Sequence, residues 1–352
     1  MVGGGIVGSA ACWLLQQRGH RVTLIDAADP RSGSTAALGL LMAQVFHRSS
    51  GRAWRLRQRS LALWGDWIAQ LQAAGHGVQL NRGLLLLASS PDELSRQQQL
   101  CAERQAMGLP LRLLTRSQLE ALKPSLPAAA LGGLWSDLDG QLDPVPVIGA
   151  LRQQAQAQGA IIRSDRVIAL ASGTPDGWQL RLASGDALQA SALLLCTGSG
   201  SSALLQQLNL PTSAQTPLQA VLGQALELEA AADAPPWSWQ GDWPAAVVWQ
   251  GINLVPRPQG RLWLGATLEP GECANPDALL QMAQLHGHAP PWLQQARAVR
   301  QWQGLRLRPD GRPAPWLEQL GPGLWLASGH YRNGVLLAPA TAEWLADQLE
   351  PR

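Results

Sequence analysis

The 352-residue sequence predicts an α/β protein in two parts: a Rossmann-like dinucleotide-binding domain, with a parallel sheet between helices, and an α+β substrate domain built on antiparallel sheet. Three observations predict it. A G-x-G-x-x-G pattern at Gly3, Gly5 and Gly8 leads into a helical stretch and then a short apolar strand ending in an acid. Two later apolar runs, 192–198 and 325–334, read as buried parallel-type strands entering glycine-bearing turns. Between and before them, Val78 to Ala88, Val221 to Glu229 and Val247 to Ala266 alternate as antiparallel strands and hairpins do.

Each glycine of the first element has a physical task. Gly3 permits a tight turn, Gly5 admits a pyrophosphate close to the backbone, and Gly8 lets the helix from Ser9 to Gln17 pack closely. The helix N-terminus supplies partial positive charge. The strand from His20 closes on Asp26, 18 residues beyond Gly8, where a ribose hydroxyl needs an acceptor. Only Met1 and Val2 precede the glycines, whereas such a motif opens from a strand of about five residues. This predicts a start further upstream, and tighter cofactor binding from a longer reading frame.

Residues 31–42 are small and include Gly39, which suits close approach of backbone to a planar ring. Gly329 and Gly334 bracket the N-terminus of an amphipathic C-terminal helix, Val335 to Leu349, able to face an electron-rich edge. Gly198-Ser-Gly200-Ser-Ser-Ala203 competes as a second dinucleotide site. Pro211 closes its helix early and no acid-bearing strand follows, so electrons are expected from a bound substrate rather than from a nicotinamide.

Hydrophobic residues make up 46% of the chain and charged residues 15%, against about 25% charged in typical soluble domains, so a large core is expected. The net charge of +2 arises from 27 basic and 25 acidic residues spread along the sequence, which excludes a nucleic-acid footprint. The basic run 48–59 places Arg52, Arg55 and Arg59 on one solvated helix face. Four cysteines without paired spacing point to a reducing compartment, the cytoplasm. No apolar run approaches the roughly 18 residues of a membrane span. His286 and His288 lack acidic company and read as surface, so no metal is expected. The 16 tryptophans are scattered and read as core and interface filler.

Four segments carry a resemblance: Gly3 to Asp26, Ser34 to Leu41, Leu254-Val-Pro-Arg-Pro-Gln-Gly-Arg-Leu-Trp-Leu-Gly-Ala266 and Gly329-His-Tyr-Arg-Asn-Gly-Val-Leu-Leu-Ala-Pro339. They resemble the FAD-dependent amine and amino-acid oxidoreductases of the D-amino-acid oxidase superfamily, and the last is very similar to the glycine oxidases of thiamine biosynthesis. Weaker similarity at Gly140-Gln-Leu-Asp-Pro and Val221-Leu-Gly-Gln extends the match over nearly the whole chain. To the cofactor glycines Gly3, Gly5 and Gly8 of the motif the resemblance adds FAD contacts at Ile6, Val7, Asp26, Ser34, Thr35, Gly39, Leu40, at Val167 beside the adenine, at Thr197 and Gly198, and at His330, Tyr331, Arg332, Asn333, Gly334, Val335 and Leu336. Relatives that tether the flavin use a cysteine near the C-terminal segment; residues 302–334 contain none, so FAD is expected to bind non-covalently. Residues 1–75, 137–214 and 304–352 are expected to form the FAD domain, and 76–136 and 215–303 the substrate domain.

The resemblance further implies oxidation of glycine or another small amino acid or secondary amine. Hydride leaves Cα for the flavin, the imine hydrolyses to a 2-oxo acid and ammonia, and O2 accepts the electrons. Arg332 and Arg306 correspond to the family's substrate positions, and a guanidinium is suited to clamp a carboxylate through two parallel bonds. Because the family's Gly-Leu-Arg-Pro becomes Gly304-Leu-Arg-Leu-Arg-Pro309, Arg308 remains an alternative to Arg306. Asn253 stands where glycine oxidases have tyrosine, and Gly251 where they have histidine. Asn253 can hydrogen-bond substrate and leaves room for one larger than glycine. No protein base is expected if the amine arrives neutral. Two other readings stand: a D-amino-acid dehydrogenase passing electrons to a quinone, and a flavin-binding interaction protein with impaired catalysis. Homo-oligomer formation is left open.

Overall fold

The computed structural model describes residues 1–172, 177–208, 216–239 and 243–349. Its parallel sheet is built around a two-residue segment. Thr23–Asp26 pairs in parallel with Ile161–Ser164, and Leu193–Leu195 with Leu324–Ser328, to which Trp316–Gly321 adds antiparallel. Val2 bridges the two halves, in parallel with both Ile25 and Leu195. Its amide donates to Leu194 O (2.9 Å) while the amides of Cys196 and Ile25 donate to Val2 O (2.8 Å) and Met1 O (3.0 Å). Met1 and Val2 thus occupy the central strand position that the glycine motif requires.

The helix Ile6–Gln17 follows, three residues earlier at its start than the sequence reading placed it. Ile6, Ala10, Ala11, Trp13 and Leu15 are all buried, as expected of a helix enclosed by others rather than lying on a surface. Around it pack Gly51–Ala73, Pro144–Ala157 and Gly334–Leu349. Trp13, Trp64 and Trp67 meet edge to face at 5.0 and 5.8 Å. Such pairs add about 0.5–1.5 kcal/mol each beyond area burial.

The antiparallel sheet carries the remaining long strands. Leu218–Glu229 pairs with Arg261–Gly265 and with Arg297–Pro309; Ile252–Arg257, Ala246–Trp249, Leu80–Ala88 and Gly132–Leu142 extend the sheet in that order. The expected strands at 78–88, 221–229 and 247–266 are present, although Leu80–Ala88 meets Ala246–Trp249 in parallel.

One region departs from the expected helix and parallel-strand pattern. Within 137–214, Val167–Ser172, Trp178–Leu182 and Ala187–Ala190 form an antiparallel meander. Trp178, Leu180 and Leu182 are buried while the residues between them are exposed, the alternation of a sheet with one covered face. Connections this short can join only antiparallel neighbours.

Arg52, Arg55 and Arg59 are exposed on Gly51–Ala73 as their spacing suggested, and His286 and His288 are exposed as well. Trp237, Trp239, Trp243 and Trp292 gather in one edge-to-face and tilted cluster. All four cysteines are free. Among the described residues no helix is long and apolar enough to cross a membrane. Pro211, invoked above to end a helix, lies outside the described residues.

Candidate active site

A single cavity of about 1030 Å³ runs from the N-terminal glycines to the edge of the antiparallel sheet. Gly3 turns the chain out of the sheet at φ +96°, and a side chain there would lie 2.4 Å from Cys196 O. Gly8 faces the backbone so closely that a Cβ would stand 1.9 Å from Gly3 O. Gly5 is the helix N-cap and has no side chain to satisfy the first-turn amides. One of them, Ile6 N–H, reaches Ser34 Oγ (3.0 Å). The arrangement leaves a positive helix end, stripped of side chains, open to an anion.

Asp26 lies beside it and accepts from Gly4 N–H (3.1 Å), while its other oxygen pairs with Arg152. The carboxylate is therefore fixed, with acceptor capacity left for a hydroxyl. Val167 and Asp165 stand next to it because Asp26 is in register with Ser164. The stretch 198–203, the competing second dinucleotide motif, lines this same cavity through Gly198, Ser199, Gly200 and Ala203. It forms one wall of the first site, as a 3₁₀ turn and a five-residue helix.

Of the expected cofactor residues, Gly3, Gly5, Ile6, Val7, Asp26, Ser34, Gly39, Leu40, Val167, Thr197, Gly198 and the run His330 to Val335 all line the cavity. Gly8, Thr35 and Leu336 do not: Gly8 packs behind Gly3, Thr35 is exposed, and Leu336 is in the core.

At the far end the cavity is basic. Arg306 lines it and donates through Nη1 to Thr267 O (3.1 Å) and Leu222 O (3.3 Å). Its guanidinium lies directly over Gly223, where a Cβ would come within 2.1 Å. Burial depresses its pKa to about 10, and the nearby charge of Arg332 adds to that; Tyr331 and Glu269 oppose it. Arg332 also lines the cavity and is exposed, and Asn253 faces it half-buried. Arg308 is not in the wall. It is exposed, 5.9 Å from the Tyr331 ring centroid, so of the two candidates only Arg306 lines the cavity.

Sequence reasoning passed over two residues here. Arg57 is 9% exposed, lines the cavity, donates to Asn333 Oδ1 (2.9 Å) and lies 4.0 Å from the Phe46 ring centroid. It shares a helix with the exposed arginines but faces inward. Asp139 is fully buried and accepts from the amides of Ala43 (2.8 Å), Gln44 (2.9 Å) and Val45 (3.0 Å), fixing the segment that brings Val45, Phe46 and His47 to the cavity. His330 is buried with Nε2 3.0 Å from Thr341 Oγ1, and burial lowers its pKa to about 4.

A helix-end anion site, an acid beside it and an arginine-lined extension against a second sheet define a dinucleotide-binding protein with room beside the dinucleotide for a second ligand. The comparisons make this particular. A family model described as FAD dependent oxidoreductase matches residues 1–348, and the chain belongs to that family. FAD is its cofactor, and the bare glycine cradle and cavity size fit that group.

Glycine oxidase of Geobacillus kaustophilus is 28% identical over 99% of this chain and 92% of its own length. The bifunctional protein ThiO/ThiG of Synechocystis sp. is 28% identical over 99% of this chain and 50% of its own. The crystal structure of the Geobacillus kaustophilus glycine oxidase superposes with a TM-score of 0.85 at 27% identity, covering 99% of this chain and 94% of that one.

Proposed function

We propose that this protein oxidises glycine or another small amino acid or secondary amine, with O2 as electron acceptor, in the manner of the glycine oxidases it resembles and in the supply line of thiamine. The observation that carries this reading is Arg306 beside the run His330 to Val335, which itself contributes Arg332, at the end of the cavity away from the helix-end anion site. Bound FAD supplies the two-electron acceptor for the substrate's Cα–H bond.

The chain's own residues bind and orient. Arg306, fixed by Thr267 and Leu222, holds the carboxylate together with Arg332; Asn253 hydrogen-bonds the amine. The half-buried site favours the neutral amine, which needs no protein base to lose its Cα hydrogen. The imine released to water hydrolyses to the 2-oxo acid and ammonia, or to the 2-oxo acid and a primary amine where the substrate is a secondary amine. The glycines and Ser34 hold the pyrophosphate end, Asp26 the ribose, Val167 the adenine, and the turn His330 to Gly334 the flavin edge. In domain terms, 1–75, 137–214 and 304–352 form the cofactor domain, and 76–136 with 215–303 the substrate domain. The cysteines, free and mostly buried, fit a cytoplasmic setting.

The test is anaerobic mixing of the FAD-loaded protein with glycine, sarcosine and D-amino acids while the flavin absorbance is followed. Bleaching is expected with at least one of them, and peroxide on readmission of air. Bleaching without peroxide would point to another acceptor, such as a quinone; no bleaching with any amine would defeat the proposal.

A further inference from the structure

We propose that Arg57 is a third anion-binding group of the cavity and that the preferred substrate is a small amino acid carrying a second carboxylate. The inference rests on the amine-oxidation reading and narrows its substrate class.

Arg57 is 9% exposed and lines the cavity, yet among the described residues its guanidinium is only partly satisfied. Nη1 donates to Asn333 Oδ1 (2.9 Å) and, at 3.4 Å, to Met42 O. Nε is buried with no hydrogen-bond partner. The Phe46 face, 4.0 Å away, attracts the charge but accepts none of the in-plane N–H bonds. Buried cations are ordinarily paired, because an unpaired one retains its desolvation penalty.

The nearest acid cannot serve as the partner. Asp139 interacts with Arg57 through space, but its oxygens are engaged by the amides of Ala43, Gln44 and Val45. The acids in the cavity wall, Asp26, Asp29 and Asp165, belong to the opposite end, around the strand Thr23–Asp26 and its neighbour Ile161–Ser164. Arg166 lines that acidic end as well, whereas Arg57, Arg306 and Arg332 gather near the turn Tyr331–Asn333 with no acid among the described wall residues there. Arg306 and Arg332 suffice for one carboxylate. Nε is sealed from the cavity, so a ligand meets the outer Nη groups: one with a single negative group would leave Arg57 uncompensated, and a second carboxylate supplies an acceptor there through a charge-assisted bond.

The experiment uses the FAD-loaded protein and two inert probes that differ by one carboxylate, propionate and succinate, each titrated by calorimetry and by perturbation of the flavin spectrum. Succinate is expected to bind about tenfold tighter than propionate, as one added charge-assisted bond provides. In Arg57→Gln the ratio is expected to fall to near one through weaker succinate binding, and Arg57→Lys, which keeps the charge, should restore part of it. D-aspartate should then show a lower KM than D-alanine in the wild type, with that advantage lost in Arg57→Gln. Equal binding of the two probes by the wild type would overturn the proposal, even if Arg57→Gln failed to fold. Equal weakening of both probes in the variant would also overturn it, placing Arg57 in the wall or against the cofactor. If no amine bleaches the flavin but succinate is still preferred, the oxidation reading fails and the Arg57 site stands; the converse result separates them the other way.

Discussion

Asp139 and Arg104 grip one stretch of backbone from opposite polarities. The carboxylate takes the amides of residues 43 to 45. The guanidinium, itself fully buried, donates to the carbonyls of Gln44 (3.0 Å), Phe46 (2.6 Å) and Arg48 (3.0 Å) and to Ser49 Oγ (2.8 Å). A segment with no regular hydrogen-bond ladder of its own is thereby satisfied as fully as a strand would be. Asp139→Ala removes one side and leaves three amides buried without acceptors. We expect it to cost about 3 kcal/mol in urea unfolding. A change below about 1 kcal/mol would mean that water takes over the role.

Gly223 governs Arg306. An alanine there brings its Cβ within 2.1 Å of the guanidinium, and since that is the end of a flexible side chain, Arg306 moves and the strand does not. Gly223→Ala should therefore raise the KM for the amino acid about tenfold or more while changing unfolding free energy by less than about 1 kcal/mol. An unaltered KM would show that Arg306 does not meet the substrate.

Gly8 has no such freedom, because its neighbour is the carbonyl of Gly3. Gly8→Ala should push the helix Ile6–Gln17 off the turn and spoil the anion site. The expected readout is protein purified with little flavin and a Kd for FAD weaker by about 100-fold, the scale of losing one or two charge-assisted bonds. Full flavin occupancy would count against a pyrophosphate lying on this turn.

His330 sets a pH dependence of definite sign. Its folded pKa, lowered to about 4 by burial and then by Arg52, lies below the ordinary value of 6.5. The unfolded chain therefore binds the extra proton first, and this contribution to stability, complete above about pH 6.5, declines as the pH falls towards 4. Between pH 7 and pH 5 the loss is about 2 kcal/mol. Thermal unfolding of wild type and His330→Gln at both pH values should show the wild type losing more; parallel losses would remove His330 as the cause.

The sequence disclosed the cofactor end of this site more fully than the substrate end. The glycines and Asp26 are legible because each answers a requirement of local geometry at a fixed spacing. Arg57 is not, because it lies two residues from Arg55 and Arg59 on the same helix, and only the packing of that helix decides which arginine faces inward. Arg104 and Asp139 escape for a similar reason: their partners lie about 60 and 95 residues away, at carbonyls and amides that every residue carries. The meander was missed because a parallel sheet was expected across the whole cofactor domain, and that expectation overrode the antiparallel alternation that Trp178–Leu182 itself carries. Arg306 and Arg308, two residues apart on one strand, point the same way, and in the sequence only the spacing from Gly304 favours Arg306; the neighbouring strand, with a glycine at 223 facing its guanidinium, distinguishes them.

The strand Arg297–Pro309 pairs with Leu218–Glu229 along its whole length and is also sewn to the cofactor side: Leu305 N–H donates to Arg31 O (3.0 Å), Trp302 Nε1 to Ala36 O (3.0 Å), and a Cβ on Gly304 would lie 2.4 Å from Ala36. Arg306 therefore sits on a beam built into both walls of the chamber. Such a beam resists the clamshell motion by which many two-lobed enzymes admit their substrates.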